Sequence, residues 1–179
     1  MNSTPTPNPK ADQTLSRNMT LLAHHEMNGF GGLGEGINLQ ITKTGRRILW
    51  VAHESAPKNF SGLDVTDPKN PRLIVQTDLP HMQLRSNSLD VYGDILAVAY
   101  QTKVVGLKPA GVDLFDISNP EEPKLLSHFD CSGPHSRGVH ALWFVDGKYI
   151  HMSSGAADFE PTNPLDDQFY RILDVSDPT

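Results

Sequence analysis

The sequence predicts an all-β protein, built as a β-propeller of four-stranded antiparallel blades. Two repeated patterns lead to this prediction. A short apolar strand that runs through Asp into a Ser/Thr-Asp/Asn-Pro turn occurs three times, at residues 63–68 (LDVTDP), 115–120 (FDISNP) and 173–178 (LDVSDP). A hairpin of alternating apolar residues precedes each copy. The repeat length of roughly 40–60 residues is in the range of propeller blades.

Each repeat holds four short strands, labelled A to D in chain order. Strands A and B form the first hairpin and turn through a glycine, at Gly45, Gly93 and Gly147. Strand C ends at the repeated turn, and strand D follows a second proline, Pro71 or Pro123. Glycine adopts the positive φ of tight hairpins, and proline presets its own φ for a turn. A β-sandwich and an irregular β-solenoid are the alternatives to the propeller.

The chain divides into an N-terminal arm, residues 1–19, and an incomplete propeller, residues 20–179, with blades at about 20–78, 79–129 and 130–179. Residues 21–25 (LLAHH) are similar to residues 125–129 (LLSHF) of a D strand, which predicts a stray outer strand at the N-terminal end. The third repeat has no D strand. Because propellers have ~4–8 blades, we expect a second polypeptide to carry the others, with the stray strand completing one of its blades. The alternative, truncation, would expose unpaired sheet edges.

The repeats resemble those of the LVIVD-repeat β-propellers, whose blades carry an apolar strand, then Asp-Val/Ile-Ser-Asp/Asn-Pro, then a second proline. The resemblance spans roughly residue 21 to the end. The pairs Leu63-Asp64 and Phe115-Asp116 depart from the more aliphatic run of the family. The resemblance implies the propeller fold but says almost nothing about function, since a propeller supports many chemistries.

Composition excludes several function classes. The chain has 15 Lys plus Arg against 21 Asp plus Glu, with no basic cluster, so we expect no nucleic-acid partner. Its longest apolar run, residues 95–100, is far shorter than the ~18 residues of a membrane span. The sequence shows no secretory leader pattern and has one cysteine, Cys131, which predicts a cytoplasmic location.

The predicted functional face carries the B–C and D–A connections. The B–C loops are long, at about residues 53–61, 100–110 and 154–168, and long loops on a rigid scaffold commonly carry function. Five of the eight histidines lie in these segments or at the mouth of an A strand: His25, His53, His81, His135 and His140. Aligning Leu39, Leu89 and Leu142 as equivalent A-strand residues brings carboxylate, guanidinium and imidazole groups to one end of the channel.

This convergence predicts a small-molecule site. Imidazoles and a carboxylate move protons, so the predicted catalytic residues are His140, His135, His81 and Glu35. Guanidinium groups bind carboxylates in bidentate fashion, and the predicted substrate-binding residues are Arg85, Arg137, His53 and Tyr100.

Two chemical alternatives stay open at this point. Neutral imidazoles also bind divalent metals, so a metal ion held by His81, His135 and His140 is one alternative to metal-free proton transfer. Cys131 lies four residues before His135, and we interpret it as a semi-buried thiol rather than a nucleophile. Trp50 and Trp143 lie in predicted strands, and we interpret both as core residues.

The sequence therefore predicts an enzyme that acts on a small anionic molecule at the axial pocket, by hydrolase, lyase or isomerase chemistry. A non-catalytic propeller that binds a protein partner through its long-loop face is the alternative. The loops hold mostly Gly, His, Arg and Glu rather than the aromatic residues of a protein interface, which favours the enzyme. A redox metalloenzyme is a third hypothesis.

Overall fold

The computed structural model describes residues 18–178, and within them the chain is all-β, as predicted. The first sheet is antiparallel with the order β1-β2-β3-β4. Its strands are β1 (Leu33–Ile41), β2 (Arg47–His53), β3 (Lys58–Asp64) and β4 (Arg72–Asp78). A 3₁₀ turn, Met27–Gly29, precedes it.

The second sheet repeats this order with four more strands. They are β5 (Leu84–Tyr92), β6 (Ile95–Thr102), β7 (Gly111–Asp116) and β8 (Lys124–Asp130). A two-stranded ribbon, β9 (Ser132–Gly133) and β10 (Ser136–Arg137), leads into the third main sheet. That sheet has three strands: β11 (Val139–Trp143), β12 (Tyr149–Ser154) and β13 (Phe169–Asp174).

The predicted A–B hairpins form in all three main sheets. Leu39 pairs with Leu49, Leu89 with Val98 and Leu142 with Met152. The turn glycines Gly45, Gly93 and Gly147 all have positive φ, between 59° and 83°. The sequence located these hairpins because only glycine adopts this backbone conformation without strain.

The repeated aspartate has a local structural role. In each copy its carboxylate accepts the backbone N–H two residues on, at 2.8–3.0 Å; the pairs are Asp64–Thr66, Asp116–Ser118 and Asp174–Ser176. Hydrogen bonds from the hydroxyl group and the backbone N–H of that Thr or Ser lower the pKa of all three carboxyl groups. The motif therefore stabilises the turn at the end of strand C, which explains why it recurs once per sheet.

The three main sheets pack face to face in chain order. Between the first and second sheets the core includes Ile48, Trp50 and Phe60 against Leu96 and Val98. The first strands β1, β5 and β11 lie side by side along this stack. Strand β1 approaches β5 so closely that a Cβ on Gly36 would lie 2.3 Å from the backbone N of Leu89.

A second core joins the second and third sheets. Ala97, Ala99 and Val112 pack there against Ile150 and Met152. The described residues form an open stack and close no ring. Among them, no helix has the length and apolar character needed to cross a membrane.

Both ends of the stack leave apolar side chains exposed. On the first sheet these are Ile37, Leu39 and Ile41, and on the third they include Trp143, Tyr170 and Ile172. Trp50 is fully buried, as predicted, but Trp143 is 63% exposed, so its prediction as a core residue is wrong. Trp143 lies on the face of the third sheet that no other described sheet covers.

Residues 21–25 form no strand within this chain. They cross the open face of the first sheet, where Ala23 and His25 line a groove together with Leu49, Val51 and Leu63. Strand β13 pairs with β12, and no other strand of the described part of the chain lies on its far edge. Pairing of residues 21–25 with another chain stays a prediction.

The connections on the predicted functional face differ in length. The loop between β12 and β13 spans 155–168, close to its prediction, and the loop between β6 and β7 spans 103–110. The first loop is only 54–57 because β2 and β3 extend further into it than the sequence suggests.

Candidate functional site

A cluster of polar side chains lies where the first strands of the second and third sheets meet. Arg85 and Asn87 belong to β5, Gln101 to β6, His140 to β11, and Gln168 directly precedes β13. The regular ladder of β5 is interrupted between Ser86 and Ser88, and that of β11 between Val139 and Ala141. Such bulges redirect side chains. Asn87 and His140 are the bulged residues, and they face each other.

Gln101 is at the centre of the cluster and is 1% exposed. Its Oε1 accepts hydrogen bonds from Arg85 Nε at 3.1 Å and from Arg85 Nη2 at 2.5 Å. The same oxygen lies 3.2 Å from His140 Nδ1. One amide oxygen therefore links a guanidinium group and an imidazole from two different sheets.

Amide groups hold the backbone of His140. Asn87 Nδ2 donates to the His140 carbonyl O at 2.8 Å, and the His140 N–H donates to Gln168 Oε1 at 3.2 Å. Asn87 Oδ1 is buried and has no hydrogen-bond donor in the described part of the chain. A buried acceptor of this kind needs a partner, so Asn87 offers one hydrogen-bond position to a water or a ligand.

Arg137 is held by an acid that the sequence did not reveal. Its Nε lies 2.5 Å from Asp167 Oδ2, and its Nη2 lies 2.7 Å from Asp167 Oδ1. Burial disfavours the Asp167 carboxylate, but the hydrogen bonds and charge of Arg137 outweigh burial, so the pKa of Asp167 is lowered. The predicted bidentate partner of Arg137 is therefore a protein carboxylate, which anchors the loop 155–168 instead of a substrate.

Two predicted substrate-binding residues are buried in the sheets. His53 lies with Nε2 2.8 Å from Ser61 Oγ and Nδ1 3.1 Å from the Gly31 carbonyl O, and burial lowers its pKa. The Tyr100 hydroxyl accepts a hydrogen bond from Asn59 Nδ2 at 2.8 Å, and burial raises its pKa strongly. Both side chains have internal partners and stabilise the sheet interiors.

Within the described part of the chain, none of the other predicted catalytic residues hydrogen-bonds to His140. His81 Nε2 is 2.9 Å from the Lys108 carbonyl O, and its Nδ1 accepts the Gln83 N–H. His135 is exposed near Glu160, at 3.9 Å. Glu35 is exposed on β1.

The metal alternative requires three ligands to converge. Within residues 18–178, no three His, Cys, Asp or Glu side chains form a group that could hold a metal ion. The predicted set of His81, His135 and His140 is therefore not assembled among these described residues.

Cys131 is buried, in line with its interpretation as an unreactive thiol. Burial raises its pKa, although Arg171 Nη1 lies 3.6 Å from the sulfur and opposes this effect. A raised pKa reduces the thiolate fraction at neutral pH and with it nucleophilic reactivity.

Among the described residues, Arg85 and His140 are predicted site residues that the structure brings together, through Gln101. The sequence analysis did not identify Gln101, Gln168 and Asp167. One signal was present: Asn87 and His140 are polar residues at equivalent positions of two inner strands. No protein-family model matches the chain, and no curated protein matches it significantly.

Proposed function

We propose that the three main sheets are consecutive blades of a β-propeller of the LVIVD-repeat type. The chain-order packing through the first strands supports this proposal, as do the repeated turn and the two uncovered apolar faces. In the proposed assembly, a second polypeptide carries the remaining blades and covers Trp143 and the far edge of β13. A cytoplasmic setting belongs to the same proposal, and the free, buried Cys131 is consistent with it.

We propose further that the protein is an enzyme that binds a small anionic molecule at the inner strands. One observation carries this proposal: Arg85, Gln101 and His140 come together at bulged inner strands, where a propeller would have its channel mouth. Concave sites with a few convergent polar groups are the usual place for small ligands.

Arg85 and His140 have different roles in this proposal, because their side chains differ in chemistry. Arg85 uses two of its five N–H donors on Gln101, and the others are suited to a substrate carboxylate. His140 supplies the imidazole of the cluster and is the group suited to proton transfer. Hydrolase, lyase and isomerase reactions on small carboxylates can each use these two groups. The proposed reaction uses proton transfer by His140 and does not require a metal ion bound by His81, His135 and His140.

The alternative, a scaffold that binds a protein, has one observation in its favour. Phe159 and Leu165 are exposed on the long loop 155–168, and Leu165 is 83% exposed. Exposed apolar residues on a loop face are suited to a protein partner. Replacing both with Ser leaves ligand binding unchanged in the enzyme proposal and removes partner binding in the scaffold alternative.

The direct test is replacement of Arg85 by Ala. We expect binding of small carboxylates, probed with succinate by calorimetry, to weaken about 10- to 100-fold, because a charge-assisted hydrogen-bond pair is lost. Arg85→Ala also removes two hydrogen bonds from the buried Gln101 oxygen, so a moderate fall in melting temperature should accompany the loss of binding. Arg72→Ala is the control: Arg72 is also on a strand, but it pairs with Asp64 within the first sheet, whereas the cluster lies between the second and third sheets.

His140→Gln tests the catalytic part of the proposal. Loss of a general acid or base typically lowers turnover about 10²- to 10⁴-fold, while succinate affinity should be retained. Equal succinate affinity in wild type and Arg85→Ala would remove Arg85 from the site. Full turnover in His140→Gln would remove the proposed proton-transfer role.

A further inference from the structure

The orientation of the Gln101 amide is fixed by its neighbours. Two N–H groups of Arg85 point at the same atom, and only an oxygen can accept both. If the amide exchanged its O and N positions, both bonds from Arg85 would be lost, and the buried NH₂ group would face two donors. The oxygen, not the NH₂ group, therefore faces His140.

This orientation decides which nitrogen of neutral His140 carries the proton. A carbonyl oxygen 3.2 Å from Nδ1 forms a favourable contact only when Nδ1 is protonated. Asn87 Nδ2 also lies 3.2 Å from Nδ1 and favours the opposite tautomer, since an NH₂ group only donates. One of its two hydrogens is taken by the carbonyl O of His140 at 2.8 Å, whereas the Gln101 oxygen cannot turn away from Nδ1 without losing its hydrogen bonds from Arg85. With the proton on Nδ1, the lone pair of Nε2 is available as an acceptor.

We propose that Gln101 is a positioning residue that holds neutral His140 as the Nδ1–H tautomer, and that the ligand is a small carboxylate with its own hydroxyl donor, such as a 2-hydroxy acid. Arg85 binds the carboxylate, and His140 Nε2 accepts the hydroxyl hydrogen. The two groups contact the same oxygen of Gln101, so a molecule of a few carbon atoms spans them. This inference rests on the anionic-ligand function proposed above and adds the substrate class.

The tautomer is measured independently of any ligand. In the full-length chain, ¹⁵N NMR of the imidazole at about pH 9, above the usual titration range of histidine, should show the proton of His140 on Nδ1. Gln101→Leu should shift it towards Nε2. Gln101→Glu should keep it on Nδ1, because a carboxylate oxygen accepts from both Arg85 and His140.

Gln40→Leu is the matched control for burial. Gln40 is also a buried inner-strand glutamine, and it bonds Trp50 Nε1 at 3.1 Å and the Ile117 carbonyl O at 3.1 Å, in the other sheet junction. Its loss should lower stability without moving the His140 proton. If wild-type His140 carries its proton on Nε2, or if Gln101→Leu leaves the tautomer unchanged, the positioning role is overturned.

The ligand class is tested with lactate and propionate, which differ by one hydroxyl group. Wild type should bind lactate about 10-fold more tightly, the usual value of one hydrogen bond to a matched acceptor. Gln101→Leu should lose this preference. Equal binding of both acids overturns the hydroxy-acid class but leaves the anionic-ligand function standing. If lactate, propionate and succinate all fail to bind, the proposed anionic-ligand function is wrong. The NMR measurement of the His140 tautomer then still shows whether Gln101 positions His140.

Discussion

Replacing Arg137 with Met is expected to lower the free energy of unfolding by about 2 kcal/mol at pH 7. The Asp167 carboxylate is 1% exposed, and Arg137 supplies its two strong hydrogen bonds. Removing one partner of a fully buried ion pair typically costs ~3–5 kcal/mol because a buried charge is left alone. The side chain of Arg137 is 34% exposed, so water can partly replace it and the cost is smaller.

The pH dependence gives this prediction its sharpest form. In wild type the folded-state pKa of Asp167 lies below the unfolded value of about 4. The ionised carboxylate therefore contributes its full stabilisation above about pH 4. This contribution is lost as the pH falls through the folded-state pKa. Without Arg137, burial dominates and raises the pKa of this carboxyl group. The penalty in Arg137→Met should then shrink as pH falls and the buried group becomes protonated.

The measurement is urea unfolding of wild type and Arg137→Met at pH 7 and pH 4. The matched comparison is Arg137→Met introduced into an Asp167→Asn protein. There, Arg137→Met should lower the free energy of unfolding much less, because no buried charge loses its partner. A loss that is the same at both pH values, or the same in the Asn background, would contradict the ion-pair explanation. It would also make Arg137 available again as a substrate ligand.

The parts of the fold that the sequence predicted are those fixed by local chemistry. Gly45 and its equivalents give tight hairpins because of their positive φ. Asp64 and its equivalents accept a hydrogen bond from the backbone N–H two residues on, so the motif itself stabilises the turn. The glycine turns and the aspartate motif recur at similar intervals along the chain. These intervals correctly predicted the order of the main sheets and the pairing of their strands.

The parts it missed depend on contacts distant in sequence. Asp167 comes to Arg137 from thirty residues along the chain, across a loop with no pattern of its own. A one-residue bulge turned Asn87 and His140 towards each other, and strict alternation does not predict a bulge. Trp143 was placed in the core because it is a large apolar strand residue, although which face of the sheet is covered depends on a neighbour that the strand pattern does not specify.

The two tryptophans give the largest expected contrast. Trp50→Ala should lower the free energy of unfolding by about 4 kcal/mol, since large-to-small changes at fully buried aromatics cost ~3–5 kcal/mol. Trp50 packs edge-on against Phe60 and donates its Nε1–H to Gln40 Oε1, so the change also leaves a buried acceptor unpaired. Calorimetry or urea unfolding measures this loss.

Trp143→Ala should have little effect on the stability of this chain but a large effect on its assembly with a partner. The side chain is already 63% exposed, so its loss should change the unfolding free energy of this chain by less than about 1 kcal/mol. In the proposed propeller, Trp143 is covered by the next blade, and an aromatic anchor at the centre of an interface is typically worth about 2 kcal/mol or more, roughly a 30-fold loss in affinity. Native mass spectrometry of the assembled protein should show dissociation in Trp143→Ala at concentrations where wild type stays associated. If Trp143→Ala destabilises the chain as much as Trp50→Ala, or leaves the assembled mass unchanged at every concentration, then the uncovered face of the third sheet is not where the remaining blades dock.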